Sequence, residues 1–212
     1  MRAPVSWDLC AILDRSVAGK RPLPELLAGI IAGGGRWVQY REKEWPVRRC
    51  LPLALELRRQ AGEAGVAFVV NDRLDLALAV EADGLHVGQD DLPAAVARRL
   101  LGARMILGVS THTIEQAIRA QADGADYVAV GSIYRTSTKE NFELVGLEMV
   151  RAVRPLIQKP LVAIGGITPD NVAPVIRAGA DGVAVISGIS GAPDPAAATR
   201  RFLERIRSAR NR

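Results

Sequence analysis

Aromatic side chains are scarce. Three Trp, three Tyr and three Phe make up 4% of the 212 residues, so no core can be built on rings. Val, Ile, Leu and Ala must fill it, and that composition suits parallel strands buried on both faces by helices. Cysteine is almost absent. Cys10 and Cys50 have no metal-ligand spacing and form no disulfide framework, which points to a reducing, cytoplasmic setting. No apolar run is long enough to span a bilayer. Met1 to Leu9 lacks the basic region and apolar run of a secretion signal. Hydrophobic residues nevertheless reach 49%, enough for the core of one domain spanning residues 1–212.

The net charge of +5 is local. From Arg200 to Arg212 there are six arginines and one acid, Glu204, which leaves the rest of the chain near neutrality. We read a basic C-terminal helix over about 195–212. With no nucleic-acid recognition motif, a solvated helix face explains it better than a nucleic-acid partner. Global charge therefore says little about substrate, and local charges must be read instead.

A rhythm runs through the chain: a helical stretch, a turn of small residues, then a short β-branched run. Gly33–Gly34–Gly35 precedes Trp37–Val38, Asp83–Gly84 precedes Leu85, Gly124–Ala125–Asp126 precedes Tyr127, and Gly179–Ala180–Asp181–Gly182 precedes Val183. Glycine at a helix C-terminus lets the chain turn back onto a sheet. The pattern predicts strands near 8–14, 36–43, 67–72, 84–89, 105–110, 127–132, 160–166 and 182–187. Helices are predicted near 23–32, 47–62, 74–81, 93–101, 113–122, 147–157, 171–178 and 195–209. Pro46, Pro93 and Pro169 stand at predicted helix starts, and Thr113 is an N-cap candidate. Alternating strands and helices in this number predict an α/β fold with a closed parallel sheet, the (β/α)8 TIM barrel. A doubly wound open sheet is the competitor, but the turn from Ser16 to Pro24 holds a lone Gly19 and no Gly-rich fingerprint.

Polar residues gather where strands should end. In Val38–Gln39–Tyr40–Arg41–Glu42–Lys43 the two-residue period puts Gln39, Arg41 and Lys43 on one face, an amide and two cations with no acid among them. Such a face grips anions. Asn71–Asp72 and His86…Asp91 end the next two strands, and Ser110 the fifth. On a barrel all these ends share one rim. Asp72 and Asp91, on neighbouring strand ends, could hold Mg²⁺ with substrate phosphate as a further ligand, or could simply cap the helices that follow. Gly165–Gly166 and Ser187–Gly188, ending strands seven and eight, suit a phosphate held by backbone amides or a pair of tight turns. The long loop Ile133–Gly146 carries Thr136, Ser137, Thr138 and Lys139 and reads as a closing loop. His86, inside a strand, reads as a packed, hydrogen-bonded histidine, and no role falls to His112.

With these residues in view the chain resembles the thiamine-phosphate synthase family. The matching pieces are VQYREK (38–43), VVNDRLDLALAVEADGLHVGQDDLP (69–93), LGVSTHT (107–113), TSTK (136–139), VGLE (145–148) and AIGGITPDNV…AGADGVAVISGI (163–189). The resemblance implies a transferase that couples 4-amino-5-hydroxymethyl-2-methylpyrimidine diphosphate to a thiazole phosphate, releasing pyrophosphate. It implies a dissociative reaction, in which the C–O bond breaks before the thiazole nitrogen attacks. It also implies that Gln39, Arg41, Lys43 and Asn71 bind the pyrimidine diphosphate, and that Asp72 and Asp91 hold Mg²⁺ on it. Ser110 would sit by the diphosphate or the pyrimidine. Lys139 would bind the diphosphate from the closing loop, so that Lys139, Ser110 and Arg41 form the catalytic set. Thr136, Thr138 and the backbone at Gly166, Ile186 and Ser187 would contact the thiazole phosphate. One departure is visible: Arg135 stands where the family usually has proline.

The nearest rival is a thiazole tautomerase on the same fold. It would want a histidine between Tyr127 and Lys139, and there is none. A non-catalytic phosphate-ligand or nucleic-acid-binding protein is the rival of another class. The expected partners are small-molecule substrates, with no membrane and the homo-oligomeric state left open.

Overall fold

The computed structural model describes residues 5–136 and 143–211. Eight parallel strands close into a barrel in sequence order. They are β1 (Leu9–Asp14), β2 (Trp37–Arg41), β3 (Ala67–Asn71), β4 (Gly84–Val87), β5 (Ile106–Thr111), β6 (Tyr127–Val130), β7 (Leu161–Ile164) and β8 (Gly182–Val185). The ring is sealed where β1 pairs with β8, Leu9 against Val183. The helices are α1 (Arg15–Ala18), α2 (Leu23–Ala32), α3 (Val47–Glu63), α4 (Leu74–Ala79), α5 (Ala94–Leu101), α6 (Ile114–Ala122), α7 (Gly146–Val153), α8 (Val172–Arg177), α9 (Ser187–Ser190) and α10 (Pro195–Arg210). The predicted TIM barrel is what forms.

Most strands are shorter than the sequence pattern suggested. The second was expected to reach residue 43, but β2 ends at Arg41, and Glu42 and Lys43 leave the sheet. The sequence pattern also missed α1 and α9, which at four residues each are too short to show helical periodicity. Asp14 starts α1, its carboxylate accepting from the N–H groups of Ser16 (3.0 Å) and Val17 (3.3 Å). Thr113 caps α6 as expected, in a reciprocal box with Gln116.

Strand alternation divides the core in two. Leu9, Ala11, Leu13, Val38 and Tyr40 face the helices. Cys10, Ile12, Trp37, Val69, Tyr127 and Val162 face into the barrel. Three of the aromatics meet there. Trp7, Trp37 and Tyr127 pack together with ring centroids 5.0–5.2 Å apart.

The basic tail is a structural helix. Asp194 caps α10 by accepting from the Ala197 N–H at 3.0 Å. Phe202 and Ile206 are fully buried on its inner face. Its arginines also tie it down: Arg210 reaches Asp8 and the Asp181 carbonyl, and Arg201 reaches Asp170 at 2.7 Å. Among the described residues no helix is long and apolar enough to cross a membrane. Cys10 and Cys50 are buried free thiols.

Candidate active site

A cavity of about 600 Å³ opens at the C-terminal rim and runs down into the barrel, reaching Cys10, Trp37 and Tyr127. Gln39, Arg41, Lys43, Asn71, Asp72, Asp91, Ser110, Thr136, Gly166, Ile186 and Ser187 all line it. The expected face of β2 is therefore brought together with the expected carboxylates and glycine turns. Thr138 and Lys139 lie outside the described residues.

Neither cation of the β2 face stands alone. Register sets Arg41 beside Asp14 on β1, and its guanidinium donates to the Asp14 carboxylate, which is only 2% exposed. The Lys43 ammonium bonds Asp72. Glu42 turns the other way, accepting from Arg15 (2.8 Å) and the amides of Glu44 and Trp45. Burial pushes the Glu42 carboxyl up, but Arg15 and those amides outweigh it and hold it below its usual range. Arg15 and Arg49 also cover the Trp45 ring, 4.4 and 3.9 Å from its centroid.

Asp72 has φ +61°, left-handed backbone that aspartate tolerates better than most residues. Its N–H donates to the His86 carbonyl at 2.7 Å, while its carboxyl meets Lys43, Asn71 and Asp91. Burial, aided by Asp91, pushes its pKa up to about 6, against the pull of Lys43. Burial acts on Asp91 too, but the Gly88 N–H (2.8 Å), the Asp72 hydrogen bond and the Lys43 charge outweigh it and hold Asp91 low. Two carboxyl groups this close cannot both ionise cheaply, and Asp72 is the one that keeps its proton to the higher pH. Helix capping does not explain them: the N-cap residues of α4 and α5 are Arg73 and Pro93, and neither helix has a side-chain cap. Among the described residues no three His, Cys, Asp or Glu side chains cluster as a metal cage. A cation here would have to complete its shell from outside the protein. Two hard carboxylate oxygens with an open remainder fit Mg²⁺ on a diphosphate.

Gly165 and Gly166 have φ +104° and +62°. A Cβ on the first would strike Ser132, and on the second the Tyr134 side chain and the Arg135 carbonyl. These glycines thus serve the close seat of the β6 loop as well as the turn. That loop is pinned at both ends, Tyr134 N–H to Gly165 (3.0 Å) and Ser132 N–H to the Glu143 carbonyl (3.1 Å).

His86 is the packed histidine expected, its ring nitrogens 2.7 Å from the Tyr127 hydroxyl and 2.8 Å from Ser110 Oγ. Three residues escaped sequence reasoning. Asp14 showed no sign of its partner. Tyr127 looked like an ordinary strand residue. His112 lines the cavity with Nδ1 2.6 Å from the Gly131 carbonyl; its place just past the end of β5 was the available signal.

Fold and rim together define a (β/α)8 barrel whose strand ends are equipped for a phosphorylated small molecule. Comparison with known proteins narrows this. A family model described as thiamine monophosphate synthase matches residues 9–189, and the chain belongs to that family. It is 53% identical to the thiamine-phosphate synthase of Moorella thermoacetica, covering 97% of this chain and 99% of that protein. It is 48% identical to the thiamine-phosphate synthase of Chloroflexus aurantiacus over 93% and 92% of the two chains. The solved thiamine phosphate pyrophosphorylase of Pyrococcus furiosus superposes with a TM-score of 0.88 at 35% identity, over 96% of this chain and 97% of that one.

Proposed function

We propose that this rim carries the family's coupling reaction in a Mg²⁺-dependent form. A pyrimidine diphosphate and a thiazole phosphate join through a new C–N bond, and pyrophosphate leaves. One observation carries the assignment: Arg41, Lys43, Asp72 and Asp91 line a single cavity from three different strand ends. The leaving group is a polyanion, and a site that binds it more tightly as charge builds lowers the barrier to C–O cleavage.

Each residue then has a task. Arg41, held in place by Asp14, presents its guanidinium to the diphosphate. Lys43 exchanges Asp72 for a phosphate oxygen. As carboxylates, Asp72 and Asp91 would hold Mg²⁺, which would supply positive charge against the diphosphate. Gln39, Asn71 and Ser110 orient the pyrimidine half, and Thr136 with the backbone at Gly166, Ile186 and Ser187 holds the thiazole phosphate. Thr138 and Lys139 belong to the same assignment from the loop. No protein nucleophile is required, since alignment of two bound rings supplies much of the advantage. The setting we assign is the cytoplasm.

The test is a coupling assay with both substrates, with Mg²⁺ and with chelator. Thiamine phosphate and pyrophosphate should form in equal amounts, and only with the metal. Metal-independent turnover would remove the Mg²⁺ assignment. Isomerisation of the thiazole phosphate without the pyrimidine substrate would favour the tautomerase.

A further inference from the structure

One asparagine joins two loops of the rim. Asn171 stands in the N-cap position of α8, where an asparagine side chain ordinarily accepts from the first amides of its own helix. It makes no such bond. Its carboxamide turns back to the loop after β7 instead. Oδ1 accepts from the Thr168 N–H at 2.7 Å, and Nδ2 donates to the Gly166 carbonyl at 3.0 Å. The partners are an N–H that can only donate and a carbonyl that can only accept, so the carboxamide has one orientation. The Asn171 N–H returns to the Thr168 carbonyl at 3.2 Å and closes the turn. The Asn171 carbonyl accepts from the Tyr134 hydroxyl at 3.2 Å.

Tyr134 belongs to the loop after β6. Its N–H donates to the Gly165 carbonyl at 3.0 Å, and its carbonyl accepts from the Ser132 hydroxyl at 2.9 Å. Thr136, two residues further on, lines the cavity together with Gly165, Gly166 and Ile167. The carbonyls of Gly165 and Gly166 each accept from a protein donor, Tyr134 and Asn171 respectively. The N–H groups of Gly166 and Ile167 have no acceptor among the described residues. Successive open amides of this kind favour an anion.

We propose that Asn171 and Tyr134 are positioning residues for the phosphate of the thiazole substrate. Asn171 holds the turn that presents the Gly166 and Ile167 amides, and Tyr134 ties that turn to the loop that carries Thr136. The two halves of the phosphate seat are then set relative to one another before the ligand arrives, so binding does not have to order two loops. Neither Asn171 nor Tyr134 lines the cavity, and both act through the residues they hold. This rests on the functional reading above and adds to it two residues that touch no substrate.

The test reads the two halves of the rim separately. Calorimetry with the thiazole phosphate needs no turnover. Asn171→Ala should weaken its binding by about tenfold, and Tyr134→Phe, which keeps the ring and loses only the hydroxyl, by about threefold to tenfold. Pyrophosphate with Mg²⁺, the control ligand for the β2 half, should bind both variants as it binds the wild type. In the coupling assay the KM for the thiazole phosphate should rise by the same factors, with kcat and the KM for the pyrimidine diphosphate unmoved. Asn171→Asp separates positioning from helix capping and turn formation. Aspartate serves both of those as well as asparagine does, but it cannot donate to the Gly166 carbonyl, so it should lose at least as much as Asn171→Ala. Wild-type affinity in Asn171→Asp or in a folded Tyr134→Phe, or equal losses for both ligands, overturns the proposal. Should Asn171→Ala fail to fold, Tyr134→Phe decides. A wild type that binds the thiazole phosphate without coupling it overturns the functional reading and leaves the calorimetric test standing; one that does not bind it overturns both.

Discussion

Asp72→Asn should make the metal-free protein more stable and the enzyme inactive. Asp72 has its carboxyl pushed up from 3.8 to about 6, chiefly by burial and despite Lys43. A raised carboxyl pKa means the folded state prefers the neutral acid. Its favourable contribution is present below the unfolded pKa and is lost as pH rises through the folded one. At about 1.4 kcal/mol per unit, ionising Asp72 in the metal-free protein costs on the order of 3 kcal/mol by about pH 8. Asparagine keeps a similar shape without the charge, but gives up the ionic part of the Lys43 contact. The expected net gain is about 1–2 kcal/mol. Urea denaturation in chelator at about pH 8 would measure it, and the gap should close by about pH 4, where the wild-type carboxyl is itself protonated. Adding Mg²⁺ and pyrophosphate should reverse the ranking, because only the wild type gains from binding. Turnover in the variant should fall by orders of magnitude. An Asn variant less stable than wild type at about pH 8 in chelator would refute the buried-charge argument. Near-normal turnover would refute the metal role.

Arg41→Ala should weaken binding of the pyrimidine diphosphate by about 10–100-fold, the worth of a charge-assisted hydrogen bond, and leave the thiazole phosphate nearly unaffected; calorimetry showing equal losses would contradict the division of the rim. Gly165→Ala, at φ +104° with Ser132 in the way, should cost about 2 kcal/mol or more in thermal unfolding; a variant as stable as wild type would show that the β6 loop gives way freely. Removing residues 200–212 should unfold the barrel, since Phe202 and Ile206 go with them, and Phe202→Ala alone should cost about 3–5 kcal/mol; a folded truncation would show α10 to be an appendage. Arg200→Gln with Arg205→Gln, by contrast, should leave both stability and turnover close to wild type.

What the sequence revealed followed from periodicity. The two-residue alternation of β2 put Gln39, Arg41 and Lys43 on one side, and the cavity is lined by those three. Counting strand-and-turn units led to the barrel, and polar residues at strand ends led to its rim. What stayed hidden depended on register between strands distant in function. Asp14 is an ordinary acid after an apolar strand until its pairing with Arg41 is known. Tyr127 sits at the start of a buried strand, and only Gly108 on the neighbouring strand explains where its ring goes. The carboxylates were legible as a pair. The raised pKa of Asp72 was not, because it depends on burial and on an approach that no spacing in the chain encodes. The tail was misleading: its arginines dominate the composition, while its place in the core rests on Phe202 and Ile206.

The placement of the indoles has a practical consequence. Trp7 and Trp37 pack edge-on or tilted against Tyr127, Trp37 and Tyr127 line the cavity itself, and Trp45 is clasped by the guanidinium groups of Arg15 and Arg49. Of the three tryptophans of the chain, Trp37 therefore forms part of the cavity wall and Trp7 packs directly against it. Intrinsic fluorescence should respond to whatever enters, so ligand titrations can be followed on the unlabelled protein.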